Sequence, residues 1–547
     1  MELKTKFLCV IPARGGSKGI PRKNIRTLAG KPLIYFSIKT ALDSQFKPDV
    51  YVTTDDDEIA MIAQKLGAKI IKRNPDKAKD ETTLDPVIFD AYQQATQMEG
   101  KIYDFVVTLQ PTSPLLKTLS LDKALGKIAR NPDIDTIISA REDTHLTWKC
   151  KDDIYIPNYV KRVNRQYLEP IFKETGGFLI TRSKIITEGS RIGSNVKLHL
   201  LHGGEDIDID TYEDWNLCEY YLRRRKILFV VSGNQNIGLG HVYNTLILAN
   251  DILNHQVEFL VDNKSQLAFD AISSKYYKVH MQSSVNIVDD IRSLAPDVVI
   301  NDCLDTTESY INSLKQCKLS VINFEDLGSG ARFADLVINA IYPEKVVLPK
   351  HFFGHKYFIL RDEFILTKPI TPSEHVRRVL LTFGGVDPNN FTHKVLQAIH
   401  PFCQDQGIEI AVVAGFGYTA YDALAPYQNI NIFRNSMNIA EHMSNADVIF
   451  TSAGRTTYEA ASLHVPSIVL AQNEREITHF FTSAEFGFLN LGLGTSVSQN
   501  EILQSFVRLV DSYPIRLYMS QLMAKTNLFT GRKRVLKLIN DNILEHI

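Results

Sequence analysis

Short apolar runs rich in Val and Ile alternate with amphipathic stretches through about the first 220 residues. The runs are Phe7–Pro12, Val50–Asp55, Lys69–Lys72, Phe105–Gln110, Thr136–Ala140, Phe178–Thr181 and Val196–Leu201. Between them Leu33–Leu42, Asp57–Leu66 and Pro86–Gln97 carry helical spacing. Near-continuous apolar strands separated by helices predict a mostly parallel sheet covered on both faces. The rhythm stops in the charged helical stretch Thr211–Lys226 and restarts at Ile227, with strands at Val257–Val261, Val298–Ile300, Ser320–Phe324 and Leu336–Asn339 and a helix at Val242–Leu253. After the Pro- and aromatic-rich stretch Tyr342–Pro372 it restarts again, at Val379–Gly385, Ile408–Gly415, Val448–Thr451 and Ile468–Ala471. The fold class is therefore α/β in two domains, 1–222 and 227–547. The second is two-lobed, with Rossmann-like units at about 227–370 and 371–547 facing a cleft.

Charge and cysteines narrow the classes. Lys+Arg 61 against Asp+Glu 62 gives a net charge of −1, which excludes a broad basic footprint for nucleic acid. The run Arg223-Arg224-Arg225-Lys226 reads as a solvated helix end, since cations favour a helix C-terminus. Cys9, Cys150, Cys218, Cys303, Cys317 and Cys403 are scattered, with no CxxC pair, which argues against zinc or a disulfide framework and for a reducing compartment. The first residues lack the pattern of a signal peptide, and no run reaches about 18 uncharged apolar residues. A soluble cytoplasmic protein without membrane contact is expected.

The loop Ile11–Asn24, IPARGGSKGIPRKN, joins the first strand to the first helix. Its glycines let backbone N–H groups approach phosphate, while Arg14, Lys18, Arg22 and Lys23 neutralise charge. The spacing alone also fits a solvated basic loop. In EDIDIDT, Asp206, Asp208 and Asp210 alternate with Ile207 and Ile209; on a strand, Asp208 and Asp210 would share a face and hold a cation between them. Gln110-Pro111-Thr112-Ser113-Pro114 follows a strand and offers uncharged hydrogen-bonding groups on a stiff loop.

The order IPARGGSKGIPRKN, VTTD, Arg73, TLQPTSPL, GGFLI and DIDIDT resembles that of the cytidylyltransferases that activate sialic acid and related nonulosonic acids as CMP-sugars. The resemblance implies a Rossmann-like nucleotidyltransferase domain, GT-A-like, that joins CTP to a nine-carbon acidic sugar and releases pyrophosphate. It implies that Arg14, Lys18 and Lys23 hold the triphosphate, with Asn24 on the nucleotide. Arg73, Thr83 and the backbone near Ala13 would surround cytosine and ribose. Gln110, Thr112 and Ser113 would contact the sugar acid, with Lys149 and Lys173 beside its carboxylate. Asp208 and Asp210 would bind Mg²⁺, with Lys23 sharing in catalysis, and the domain would form a homodimer. The chain departs from the family at Leu115-Leu116-Lys117 and at Thr175, both toward the sugar side.

In the second half, Gly238-Leu239-Gly240-His241 places a histidine at a helix start, where the positive helix end favours the neutral imidazole that a general base needs. Gly384-Gly385-Val386-Asp387-Pro388 and Ser452-Ala453-Gly454-Arg455-Thr456-Thr457 follow strands, and Glu459 stands one turn into the next helix. Such turns offer N–H groups to a diphosphate, and the glutamate can accept from ribose hydroxyls. With Asn473-Glu474, these motifs resemble the nucleotide-sugar hydrolases of pseudaminic acid synthesis, GT-B-like enzymes. That implies a UDP-sugar held by Gly238, Gly240, Gly384, Gly385, Ser452, Gly454, Thr456, Thr457 and Glu459, with His241 activating water and no metal. The family commonly has Arg at the position of Asn244. The combination suggests a bifunctional enzyme of pseudaminic- or legionaminic-like acid synthesis. A glycosyltransferase or a non-catalytic nucleotide-sugar-binding module remains open for the second half, and sialic acid or an eight-carbon acid for the first.

Overall fold

Phe7–Pro12 is an interior strand of the first sheet, and its residues divide by parity. Phe7, Cys9 and Ile11 enter one apolar layer with Ile38, Ala41 and Leu125, while Leu8 and Val10 enter the opposite layer with Ile88, Ala91 and Ala95. A strand buried on both faces reads as a continuous apolar run for this reason. The molecule is described from a computed structural model that covers residues 5–544 except Lys18, Asp80, Asn236, Lys345, Val346, Phe416, Asn435 and Met437. The chain divides into two compact units, Met1–Arg224 and Arg225–Ile547.

Seven strands of the first unit run in the order Val196–Leu200, Thr136–Glu142, Phe172–Arg182, Phe105–Leu109, Phe7–Pro12, Asp49–Thr54, Lys69–Lys72. Phe172–Arg182 is antiparallel to both neighbours; the other pairs are parallel. The strand order reverses between Phe7–Pro12 and Phe105–Leu109, so a crevice opens at their carboxyl ends, where ligands of such sheets sit. The loop 13–24 rims one side and the loop 110–117 the other. The antiparallel strand starts at this same edge, where Gln110 N donates to Gly176 O at 3.3 Å.

EDIDIDT is not a strand. Gly203 and Gly204 take φ of 67° and 95°, turning the chain off the sheet edge after Val196–Leu200 and laying residues 205–210 across the strand ends as an extended loop. Ile209 N donates to Thr112 O at 2.8 Å. Ile209 still finds an apolar layer, with Ile20, Leu28, Leu33, Trp215 and Cys218.

The basic run at the unit boundary is divided. Helix Tyr212–Arg223 opens with a capping box between Thr211 and Asp214 and ends at Arg223, whereas Lys226 already begins strand Lys226–Val231. There the Lys226 Nζ donates to Leu294 O at 2.7 Å and lies 3.3 Å from Glu258.

The second unit holds two parallel sheets, of seven and six strands. In the first the order reverses between Lys226–Val231 and Val298–Asp302, and in the second between Arg378–Thr382 and Val448–Thr451. Those four carboxyl ends carry the loops with His241, Asp302, Gly384 and Ser452. No helix among the described residues is long and apolar enough to cross a membrane.

Candidate active sites

In the first unit the basic loop folds back over its strand. Ala13 N donates to Thr53 O at 3.0 Å, and the buried Asn24 donates through Nδ2 to Arg14 O at 2.9 Å. Lys23 Nζ donates to Ile209 O at 2.6 Å and lies 3.5 Å from Asp210 Oδ1. A Cβ on Gly19 would stand 2.7 Å from Asp210 O, so glycine is what allows the loop this close to 208–210. Arg73 is buried beneath, donating through Nη2 to Thr53 O at 2.7 Å. Burial brings its guanidinium down to about 10, so it is cationic at neutral pH.

Thr112 Oγ1, Ser113 Oγ and Asp208 Oδ1 are buried; the Thr112 hydroxyl faces the Asp208 carboxyl, and Ser113 Oγ has no hydrogen-bond partner among the described residues. A Cβ on Gly176 would stand 2.8 Å from Ser113 Oγ and 2.9 Å from Asp208 Oδ1, which places the Ser113 hydroxyl and the Asp208 carboxyl together over Gly176. Burial lifts the Asp208 carboxyl above the ordinary range against the pull of the Thr112 hydroxyl, and the Asp210 carboxylate pushes it further up. An orphaned buried oxygen costs about 1–3 kcal/mol. Asp208 and the exposed Asp210 fit a divalent cation that takes two protein oxygens and completes its shell from phosphate and water. Among the described residues no cluster of three or more His, Cys, Asp or Glu holds an ion by itself.

The second unit has a cleft of about 410 Å³ between its two sheets. His241 Nδ1 lies 2.5 Å from Asp302 Oδ1, and Asp302 is fully buried. Glu325, at φ 52° after strand Ser320–Phe324, accepts from Ala340 N and Ile341 N at 3.1 and 3.3 Å. Burial pushes its carboxyl up to about 7 against the pull of Arg455. Glu476 Oε2 accepts from Ala453 N and Gln472 N at 3.2 and 2.8 Å, and burial pushes this carboxyl to about 7 as well. Arg475 ties the lobes through Asp305 at 2.7 Å and through Tyr342.

A cytidylyltransferase family profile matches residues 8–200. CMP-N,N'-diacetyllegionaminic acid synthase of Legionella pneumophila is 35% identical over 229 residues, an alignment covering 39% of this chain and 95% of that one. The chain belongs to the cytidylyltransferase family. N-acylneuraminate cytidylyltransferase A of Danio rerio is 32% identical over 222 residues, covering 39% and 50% of the two chains. The chain spans about half the length of the first curated relatives it matches, 56% and 50%. Among solved structures, MurG of Acinetobacter baumannii aligns over 58% of this chain and 99% of that one, at 13% identity and a TM-score of 0.43.

The cytidylyltransferase unit gathers Ala13, Arg14, Lys23, Asn24, Arg73, Gln110, Thr112, Ser113, Asp208 and Asp210 around one crevice. Lys18 lies outside the described residues. Thr83 is the exposed N-cap of helix Leu84–Glu99 and makes no side-chain capping bond. Lys149 and Lys173 do not join the cluster. Lys149 sits on the separate exposed hairpin Trp148–Lys151/Ile154–Pro157, and Lys173 is exposed opposite Arg141. Thr175 Oγ1 donates to Ser139 Oγ at 2.8 Å, and Lys117 reaches the buried Glu205 at 3.5 Å. Arg191 was not legible: it joins Asp85 at 2.6 Å to Thr108 at 3.1 Å beside Gln110, a pairing that spans too much sequence for any local motif.

In the cleft, Gly238, Gly240, His241, Gly384, Gly385, Ser452, Gly454, Thr456 and Glu459 form lining. Thr457 does not; it is buried, with Oγ1 donating to Gly454 O at 2.8 Å. Glu459 Oε1 is already taken by Arg361 Nε at 2.9 Å, which competes with a ribose hydroxyl for that oxygen. In the acidic stretch 473–476, Glu476 faces the cleft and Glu474 is exposed outside it. The missed residue Asp302 closes strand Val298–Asp302 and Glu325 directly follows Ser320–Phe324, at VVIND and SVINFE, and that abrupt acid was the available signal.

Proposed function

We propose that the first unit transfers CMP from CTP to the anomeric hydroxyl of a nine-carbon acidic sugar of the pseudaminic or legionaminic type. The observation that carries this is the convergence of Lys23, Thr112, Ser113, Asp208 and Asp210 at the strand-order reversal. Lys23, fixed by Ile209 O, presents its charge to the triphosphate, and Arg14 adds a second cation on the same loop. Arg73, locked to Thr53 O, bounds the nucleoside side. Thr112 and Ser113 supply hydroxyls that orient the sugar acid for in-line attack, so positioning and charge account for the catalysis. Asp208 and Asp210 would hold Mg²⁺, which when bound neutralises phosphate charge. The sugar oxygen forms the new P–O bond, its proton passes to solvent, and pyrophosphate leaves with the electron pair. Relatives named for legionaminic and N-acylneuraminic acids support this substrate class. Purified protein with CTP, Mg²⁺ and a panel of nonulosonic acids should release pyrophosphate, with Asp208→Ala nearly silent; silence of the wild type across the panel would sink the proposal.

For the second unit we propose hydrolysis of a UDP-diacetamido-trideoxyhexose, supported by His241 lining a cleft beside a buried carboxylate. A glycosyltransferase is the second reading, which the same two-lobed cleft also accommodates. UDP release without an acceptor separates the two. Self-association of the first unit is supported by its exposed hairpin, where Trp148, Ile154 and Tyr155 are 53%, 65% and 72% exposed. Sedimentation of a Tyr155→Lys variant as a monomer, against a wild-type dimer, tests that.

A further inference from the structure

His241 is one end of a chain of four side chains. Its Nδ1 faces Asp302 Oδ1 at 2.5 Å, and the other oxygen of that carboxylate accepts from Asn244 Nδ2 at 2.6 Å. Asn244 Oδ1 in turn accepts from Arg455 Nη2 at 2.8 Å. His241 and Asn244 are three residues apart on helix Gly240–Asp251 and share a face; Asp302 ends the neighbouring strand, and Arg455 comes from the opposite lobe. Arg455 is further held by the first lobe, 3.9 Å from Glu325 and 4.6 Å from the centre of the Phe358 ring.

Two physical points fix what this chain does. A carboxylate as buried as Asp302 needs donors on both oxygens, and it has them in His241 and Asn244. An imidazole nitrogen that donates to that carboxylate carries its proton on Nδ1, and in the neutral ring the lone pair is then on Nε2. Arg455 brings a cation from the other lobe to Asn244.

On the reading of His241 as the base, we propose that Asp302 is the positioning residue that holds it in the Nδ1–H tautomer. Arg455, acting through Asn244, makes that alignment depend on the two lobes being together. In the step it serves, water oxygen bonds to the anomeric carbon and its proton passes to Nε2. The bond from that carbon to the β-phosphate oxygen breaks, and the electron pair leaves with UDP. Asp302 stays ionised throughout and stabilises the imidazolium.

The test uses the full chain and two readouts. In UDP release from a UDP-2,4-diacetamido-2,4,6-trideoxyhexose, Asp302→Asn should lower kcat about 10²–10⁴-fold with KM within about threefold. Arg455→Lys should lower it about tenfold, because Lys lacks the planar fork. In ¹⁵N NMR of histidine-labelled protein, the resonance that disappears in His241→Asn should report Nδ1–H and a bare Nε2, and Asp302→Asn should shift it toward the Nε2–H form. An Nε2–H tautomer in the wild type, or an Asp302→Asn enzyme with undiminished kcat, would overturn the proposal. If the wild type releases no UDP while the tautomer is Nδ1–H and depends on Asp302, the hydrolase reading fails and the positioning role stands. Should Asp302→Asn fail to fold, the wild-type tautomer decides.

Discussion

Gly176→Ala separates the crevice geometry from the stability of the fold. The added Cβ would stand 2.8 Å from Ser113 Oγ and 2.9 Å from Asp208 Oδ1, both well inside van der Waals contact. Ser113 is 3% exposed, so relief has to come from rotation of its hydroxyl or a shift of the Asp208 carboxylate. Overpacking of this kind costs about 1–3 kcal/mol. In a unit of this size each kcal/mol lowers Tm by about 2–4 °C. The Ala variant should therefore stay folded at 25 °C yet lose about 10- to 100-fold in pyrophosphate release, with the loss in kcat and in KM for the sugar acid. CTP binding, centred on Arg14, Lys23 and Arg73, should change little by calorimetry. A Gly176→Ala enzyme with wild-type turnover would refute the convergence of Ser113 and Asp208 on the reacting groups.

Asp208→Asn should abolish CMP transfer yet raise Tm without divalent cations. Burial raises the folded-state carboxyl, so its ionisation weakens folding as pH climbs from about 3.9 through the raised value; an unchanged or lower Tm at pH 7 counts against this. Glu325 and Glu476, both near about 7, follow the same sign: each costs about 3 kcal/mol once pH has risen from about 4 to 8. Denaturant melts of Glu325→Gln and Glu476→Gln should show a flatter pH profile than the wild type over that window. Arg361→Ala removes the partner of Glu459 and should destabilise the second unit by about 3–5 kcal/mol at pH 8 and less at pH 5, since burial raises the Glu459 carboxyl and protonation as pH falls relieves the unpaired charge. Melts at the two pH values check it, and an equal loss at both would contradict the pairing.

The strands were legible because most are buried on both faces, so Phe7–Pro12 and Val448–Thr451 stand out as apolar runs. The crevice was legible because its loops directly follow such strands. What misled was alternation: EDIDIDT has the period of a strand, but two glycines at positive φ remove it from the sheet. Long side chains were the other blind spot. Lys149 and Lys173 suit an acidic sugar by type, yet Lys149 pairs with Ile156 in a local exposed hairpin, and Lys173 is placed opposite Arg141 by a pairing distant in sequence. Asp302 and Arg191 act across 61 and 106 residues, a reach that no local spacing carries.

The central claim is attack by the sugar's own anomeric oxygen on the α-phosphorus of CTP at the Lys23–Asp208 crevice. Turnover with a nonulosonic acid carrying ¹⁸O at that hydroxyl, followed by mass spectrometry, tests it most directly. The account predicts one ¹⁸O retained in the CMP-sugar and none in pyrophosphate; a CMP-sugar without the label, or no product from any acid of the class, would contradict it.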